Sequence, residues 1–161
     1  MFRVRPGLSP TSKRLQNEYR KYLSIIEQQF QCILYQHDES YMIFYMKNIP
    51  KSVKITISYS DSYPFIPPKV YINNIQYLSF LSPKNFYLVD NQLNNKCCEK
   101  CRCCKSIMCA NNWSPTLSIY NIIEEVRSNI DFKNIHRELL LLKIVKKKFL
   151  NQDINIEQFL V

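Results

Sequence analysis

A single glycine set against eight prolines in 161 residues leaves this chain few ways to reverse direction. Almost every turn has to be made with Pro, Asn, Asp or Ser. The elements between those turns are read from their hydrophobic period. Pro10-Thr11-Ser12 supplies an N-cap, and Leu15, Tyr19, Tyr22, Ile26 and Phe30 follow at spacings of three or four, which predicts an amphipathic helix. Its opposite face carries Lys13, Arg14, Arg20 and Lys21, either a solvated face or a docking surface.

From Gln31 to Ile75 the period shortens to runs rich in β-branched and aromatic residues, which predicts strands from Cys32 to Gln36, Tyr41 to Asn48, Val53 to Ser60 and Lys69 to Ile72. Alternation from Val53 to Tyr59 is strict, so one face of that strand is buried and the other wet. Consecutive strands of this kind make an antiparallel meander. Between Tyr77 and Trp113 no period holds, and an irregular stretch of that length in a compact domain is usually functional or metal-braced. Helical spacing returns from Ser118 to Ile130, and Ile135, Leu139, Leu142, Val145 and Phe149 carry it into a further helix. Lys146, Lys147 and Lys148 complement the dipole at its C-terminal end. The expectation is one α+β domain over residues 1–161: an N-terminal helix, a four-stranded antiparallel meander, a long loop, and C-terminal helices.

Hydrophobic residues make up 46% of the chain, enough for one core of that size. No run has the length of a signal-peptide core or a membrane span, so the expected protein is soluble and cytoplasmic, with nuclear entry open and no membrane partner. Seven cysteines in such a compartment read as metal ligands or reactive thiols, not disulfides. The net charge of +9 fits nucleic acid, an anionic surface or an acidic protein equally well, and does not choose among them.

Two segments narrow the choice. Tyr63-Pro-Phe-Ile-Pro-Pro-Lys-Val70 resembles the Tyr-Pro-Phe-x-Pro-Pro segment of ubiquitin-conjugating enzymes, and Trp113-Ser-Pro-Thr-Leu117 resembles their Trp-Ser-Pro-Ala loop. The order of elements is similar to that family from end to end. Independently of the family, prolines at 64, 67 and 68 fix φ and withhold donors, so the first segment must leave the sheet as a rigid turn.

The resemblance implies a ubiquitin-conjugating fold and a transferase that carries ubiquitin as a cysteine thioester from the activating enzyme to a ligase or a substrate lysine. It also implies that Phe65, Ser114 and Pro115 form the surface met by RING or HECT ligases, and that Lys13, Arg14 and Lys21 meet the activating enzyme. Ubiquitin, activating enzyme and ligase are then the partners, and nucleic acid is not expected. Trp113 is expected to fill the core and Phe65 to stay outside it.

Cys104-Lys-Ser-Ile-Met108 aligns with the family's nucleophile segment, with one residue inserted before Trp113, which makes Cys104 the nucleophile and Cys103 the alternative. Cationic neighbours at 102 and 105 favour a thiolate. The family's His-Pro-Asn tripeptide is missing. Asn94 and Asn95 stand at about the right distance to supply the oxyanion-stabilising amide, ordinary loop asparagines being the other reading. The family's acidic residue two positions after the nucleophile is Ser106 here. A catalytically inactive member of the same fold, binding ubiquitin or a ligase, is the second reading.

Six cysteines lie from Cys97 to Cys109, with more than one Cys-x-x-Cys spacing. Cys98, Cys101, Cys103 and Cys109 would close on one structural zinc and leave Cys104 outside it, although other sets of four include Cys104. Zinc and unligated thiols are both open from the spacing. No cofactor is required for the transfer itself. A zinc-bearing basic domain that binds nucleic acid is a third reading, carried by charge and cysteines alone.

Overall fold

A computed structural model describes residues 10–38, 40–47, 52–81 and 103–146. The first helix, α1 (Pro10–Phe30), begins on its proline, where a missing N–H costs nothing. Thr11 and Ser12 therefore lie inside the helix instead of preceding it. Leu15 and Ile26 of the expected stripe are buried, and Glu18 is buried with them. The helix ends through Gln31 at φ 51, a left-handed residue of the kind that glycine usually supplies. Arg127 donates to the carbonyl of Phe30 at 3.2 Å and to that of Lys47 at 3.3 Å, fastening this end of α1 beside the end of the second strand.

Five strands follow as an antiparallel sheet in sequence order: β1 (Cys32–His37), β2 (Tyr41–Met46), β3 (Val53–Ser58), β4 (Lys69–Ile72) and β5 (Ile75–Gln76). The expected meander of four is thus extended by one two-residue strand. The extension comes from Asn73 and Asn74, at φ 48 and φ 68, which make the tight reversal that right-handed strand twist favours. Register is set by alternation. Met42, Phe44 and Met46 of β2 face inward beside Ile55 and Ile57 of β3 and Val70 and Ile72 of β4.

Between β3 and β4 the chain leaves the sheet through residues 61–66 and the Tyr63-Pro64 peptide is cis. A short helix, α2 (Tyr77–Phe80), follows β5 and buries Tyr77 and Phe80. The last helix, α3 (Ile119–Val145), is continuous, where two helices were expected. Nothing between those bounds is Pro or Gly, so no residue stops it. At its start Asn121 Oδ1 accepts from the backbone N–H of Ser118 at 3.0 Å and from its hydroxyl at 2.9 Å, so the side chain reaches back as in one half of a capping box.

The chain divides into two units, Met1–Arg127 and Ser128–Val161. In the first, Ile119, Ile122, Ile123 and Val126 join the core residues of the sheet and α1 among the most deeply buried side chains. The described part of the second exposes Ile135, Leu141, Leu142 and Ile144, and burial lowers the Lys133 ammonium from its ordinary value. Among the described residues no helix is long and apolar enough to cross a membrane.

Candidate functional site

The site is built where the two sequence segments and the cysteine turn meet α3. The turn opens as a 3-10 helix, Cys103–Lys105, and winds on through hydrogen bonds from Cys109 N to Ser106 O at 3.1 Å and from Trp113 N to Cys109 O at 3.0 Å. Cys104 and Lys105 are exposed, whereas Ser106 and Met108 are buried and Cys109 is half-buried.

Two side chains take up the polar groups of this turn. Glu125 of α3 accepts from the Ser106 hydroxyl at 2.6 Å on Oε1 and from the Ile107 backbone N–H at 2.7 Å on Oε2. The Tyr77 hydroxyl donates to the same Oε1 at 2.9 Å, and Ser106 Oγ in turn accepts from Met108 N at 3.0 Å. On the other side, Asn112 Nδ2 donates to the carbonyls of Cys104 at 2.7 Å and of Ser106 at 3.0 Å.

Trp113 joins the two segments. Its indole Nε1 donates to the carbonyl of Pro64 at 2.7 Å, and its ring lies 6.2 Å from that of Tyr63. Trp113 is half-buried, so it bridges the segments at the margin of the core. Phe65, next to the accepting proline, is 79% exposed, and Ile66 beside it is exposed as well. Ser114 is half-buried and Pro115 exposed, with Ser114 Oγ bound to Thr116 Oγ1 at 2.8 Å and to Thr116 N at 3.3 Å.

Beneath this surface lies a second carboxylate. Glu18, 4% exposed, accepts from Arg14 Nε, from the Tyr63 hydroxyl at 2.8 Å and from the N–H of Ile119 at 2.8 Å. Arg14 also reaches the carbonyls of Pro115 and Leu117, each at 3.3 Å. Burial pulls the guanidinium down, but the hydrogen bond and charge of Glu18 more than offset it and leave Arg14 raised. Burial, and then the Glu18 charge, push the Tyr63 phenol well above its ordinary value. Of the three expected docking cations, Arg14 is thus engaged internally, while Lys13 and Lys21 are exposed and Lys21 lies 4.9 Å from the Tyr22 ring centre.

Cys32 is wholly enclosed, and burial pushes its thiol up to about 11. It is an inert core residue, in contrast to the exposed Cys104. Asn94, Asn95, Cys98 and Cys101 lie outside the described residues, as does the side chain of Cys103, and with them the expected oxyanion amide and zinc cage. Among the described residues no group of three or more His, Cys, Asp and Glu could hold a metal ion. Glu125 and Tyr77 were not singled out in the sequence, and Asn112 stood there only as the residue that opens the Trp113 segment. No protein-family model matches the chain, and no curated protein matches it either.

Proposed function

We propose that this chain is a ubiquitin-conjugating enzyme, with the family's α+β architecture, in which Cys104 carries ubiquitin as a thioester. The observation that carries the reading is the 2.7 Å bond from Trp113 Nε1 to Pro64 O. It brings the two family-like segments into one structure, with an exposed cysteine nine residues before the tryptophan. Two stretches that resemble one family in sequence, and meet as neighbours in space, support that family more strongly than either alone.

In the first step the Cys104 thiolate attacks the thioester carbonyl joining ubiquitin to the activating enzyme. The new Cys104 thioester forms as the activating enzyme's sulfur leaves as a thiolate. In the second, a lysine amine attacks the same carbonyl, loses its proton to solvent or a base, and an amide replaces the thioester as the Cys104 thiolate departs. On this reading the exposed Phe65, with Ser114 and Pro115, receives a RING or HECT ligase, and Lys13 and Lys21 offer the activating enzyme its basic contact. Lys105, the next residue, is exposed as Cys104 is.

One assay tests the proposal. Purified protein incubated with activating enzyme, ubiquitin and ATP should give a reductant-sensitive conjugate that is absent from Cys104→Ser and present in Cys32→Ser. A conjugate that survives Cys104→Ser but not Cys103→Ser would move the nucleophile by one residue. Absence of any conjugate, with ubiquitin or ligase still retained in a pull-down, would replace the transferase with a catalytically inactive binding module.

A further inference from the structure

The turn that carries Cys104 contains no glycine and no helix beyond Cys103–Lys105, so its position depends on where its polar groups find partners. Those partners are divided by type. The Ser106 hydroxyl and the Ile107 N–H, both donors, go to the two oxygens of Glu125 at 2.6 Å and 2.7 Å. The carbonyls of Cys104 and Ser106, both acceptors, go to the single amide nitrogen of Asn112 at 2.7 Å and 3.0 Å. Peptide planes gripped on both sides cannot rotate without breaking a bond on one of them. The carboxylate also belongs to α3, the longest element beside the turn, and bonds to a charged acceptor are roughly twice as strong as neutral ones.

We infer that Glu125 is the positioning residue of the transfer reaction, with Asn112 as its counterpart. The pair sets the backbone of the turn so that the Cys104 sulfur stands outward for attack. Neither side chain touches the reacting atoms; both act through the turn. The inference rests on the reading of Cys104 as the thioester carrier. The competing explanation is that Glu125 merely fastens α3 to α2 through Tyr77, since the Tyr77 hydroxyl donates to the same oxygen at 2.9 Å.

Glu125→Gln in the full-length chain separates the two, because the amide keeps the volume of the carboxylate but loses one acceptor. Two quantities are measured: amide hydrogen exchange at Ile107 and Met108, and the kcat and KM of charging by ubiquitin-loaded activating enzyme. Expected are exchange at those two amides faster by about tenfold with the sheet amides unchanged, and kcat lower by about tenfold to a hundredfold at unchanged KM. Ser106→Ala, which removes one bond from the turn side, should move both in the same direction by less. Tyr77→Phe, which removes a bond to Glu125 but keeps both bonds from Glu125 to the turn, should lower kcat by less than Glu125→Gln does.

Wild-type exchange and charging in Glu125→Gln would overturn the inference, as would an equal loss of kcat in Tyr77→Phe. If the unaltered protein never forms a thioester, the transferase reading falls, and the exchange measurement alone decides whether Glu125 holds the turn. Should Glu125→Gln fail to fold, Ser106→Ala carries the same two readouts.

Discussion

Glu18 on α1 and Glu125 on α3 each gather donors from distant parts of the chain, yet they hold different kinds of object. Glu18 accepts from a guanidinium four residues away, a phenol 45 residues away and a helix N-terminal N–H 101 residues away. Its partners are α1 itself, the proline turn and the first turn of α3. Through Ile119 it neutralises one of the orphan donors that a helix start leaves open, from a different helix. Glu125 accepts from an irregular turn and from α2. Glu125 is half-buried, whereas Glu18 is 4% exposed, so the Glu125 carboxylate keeps more of its contact with water. One carboxylate thus joins regular elements into the core, and the other holds a turn whose own backbone bonds are few.

The largest effect that follows is on stability. Glu18→Ala takes the carboxylate away from the Tyr63 hydroxyl and the Ile119 N–H in the core and removes the charge partner of Arg14. Breaking a buried pair on one side costs about 3 to 5 kcal/mol. Arg14 is about a third exposed, and solvent recovers part of its hydration, so about 3 kcal/mol is the expected loss in urea unfolding at neutral pH. Glu125→Ala should lose about 1 to 2 kcal/mol in the same measurement, within the usual cost of taking the acceptor from buried donors such as the Ser106 and Tyr77 hydroxyls. Equal losses would erase the distinction between the two carboxylates.

The next effect is a pH dependence that belongs to the Glu18 region. Burial, followed by the Glu18 carboxylate, holds the Tyr63 phenol protonated to a higher pH than in the unfolded chain, where it ionises near about pH 10. The stability tied to this phenol is whole below that pH and is lost as pH climbs through the folded value. Tyr59, 4.8 Å away, is held up likewise by burial, and Cys32 adds its own loss between its ordinary 9.0 and about 11. Urea midpoints should therefore decline progressively above pH 9.0. Tyr63→Phe should cost about 1 kcal/mol at neutral pH and make the alkaline decline shallower. A variant with the wild-type alkaline slope would remove Tyr63 from this account.

What the sequence disclosed follows the same division. The strands were legible because their period is two, and Lys69–Ile72 has its expected bounds. The two-residue β5 is too short to carry a period; its signal is the Asn73-Asn74 pair alone. The split expected in α3 came from a change of stripe near Ile130, although nothing there breaks a helix. Glu18 was in plain view on the stripe, three residues after Leu15 and four before Tyr22, where a carboxylate needs a donor such as Arg14. Its partners Tyr63 and Ile119 are joined to it only by tertiary folding. The cysteine turn resisted reading for a different reason. Six closely spaced thiols with no period offer several registers, and the residues that fix this one, Glu125 and Asn112, act through backbone groups that every sequence has.

The smallest expected effect lies between the two regions, at Trp113. Its indole N–H binds the carbonyl next to Tyr63, and its own backbone N–H closes the cysteine turn on Cys109 O. Trp113→Phe keeps most of the apolar contact and removes the bond to Pro64 O at a site that is not fully buried. A loss of about 1 kcal/mol is expected. Double-mutant cycles then test whether the two carboxylate regions are independent. Trp113→Phe should couple to Tyr63→Phe, because the rings are in contact, and should add to Glu125→Gln within about 0.5 kcal/mol. Coupling to Glu125→Gln well beyond that would mean that strain at the cysteine turn reaches the proline turn through the indole. The surface bearing Phe65 would then respond to changes at the turn bearing Cys104.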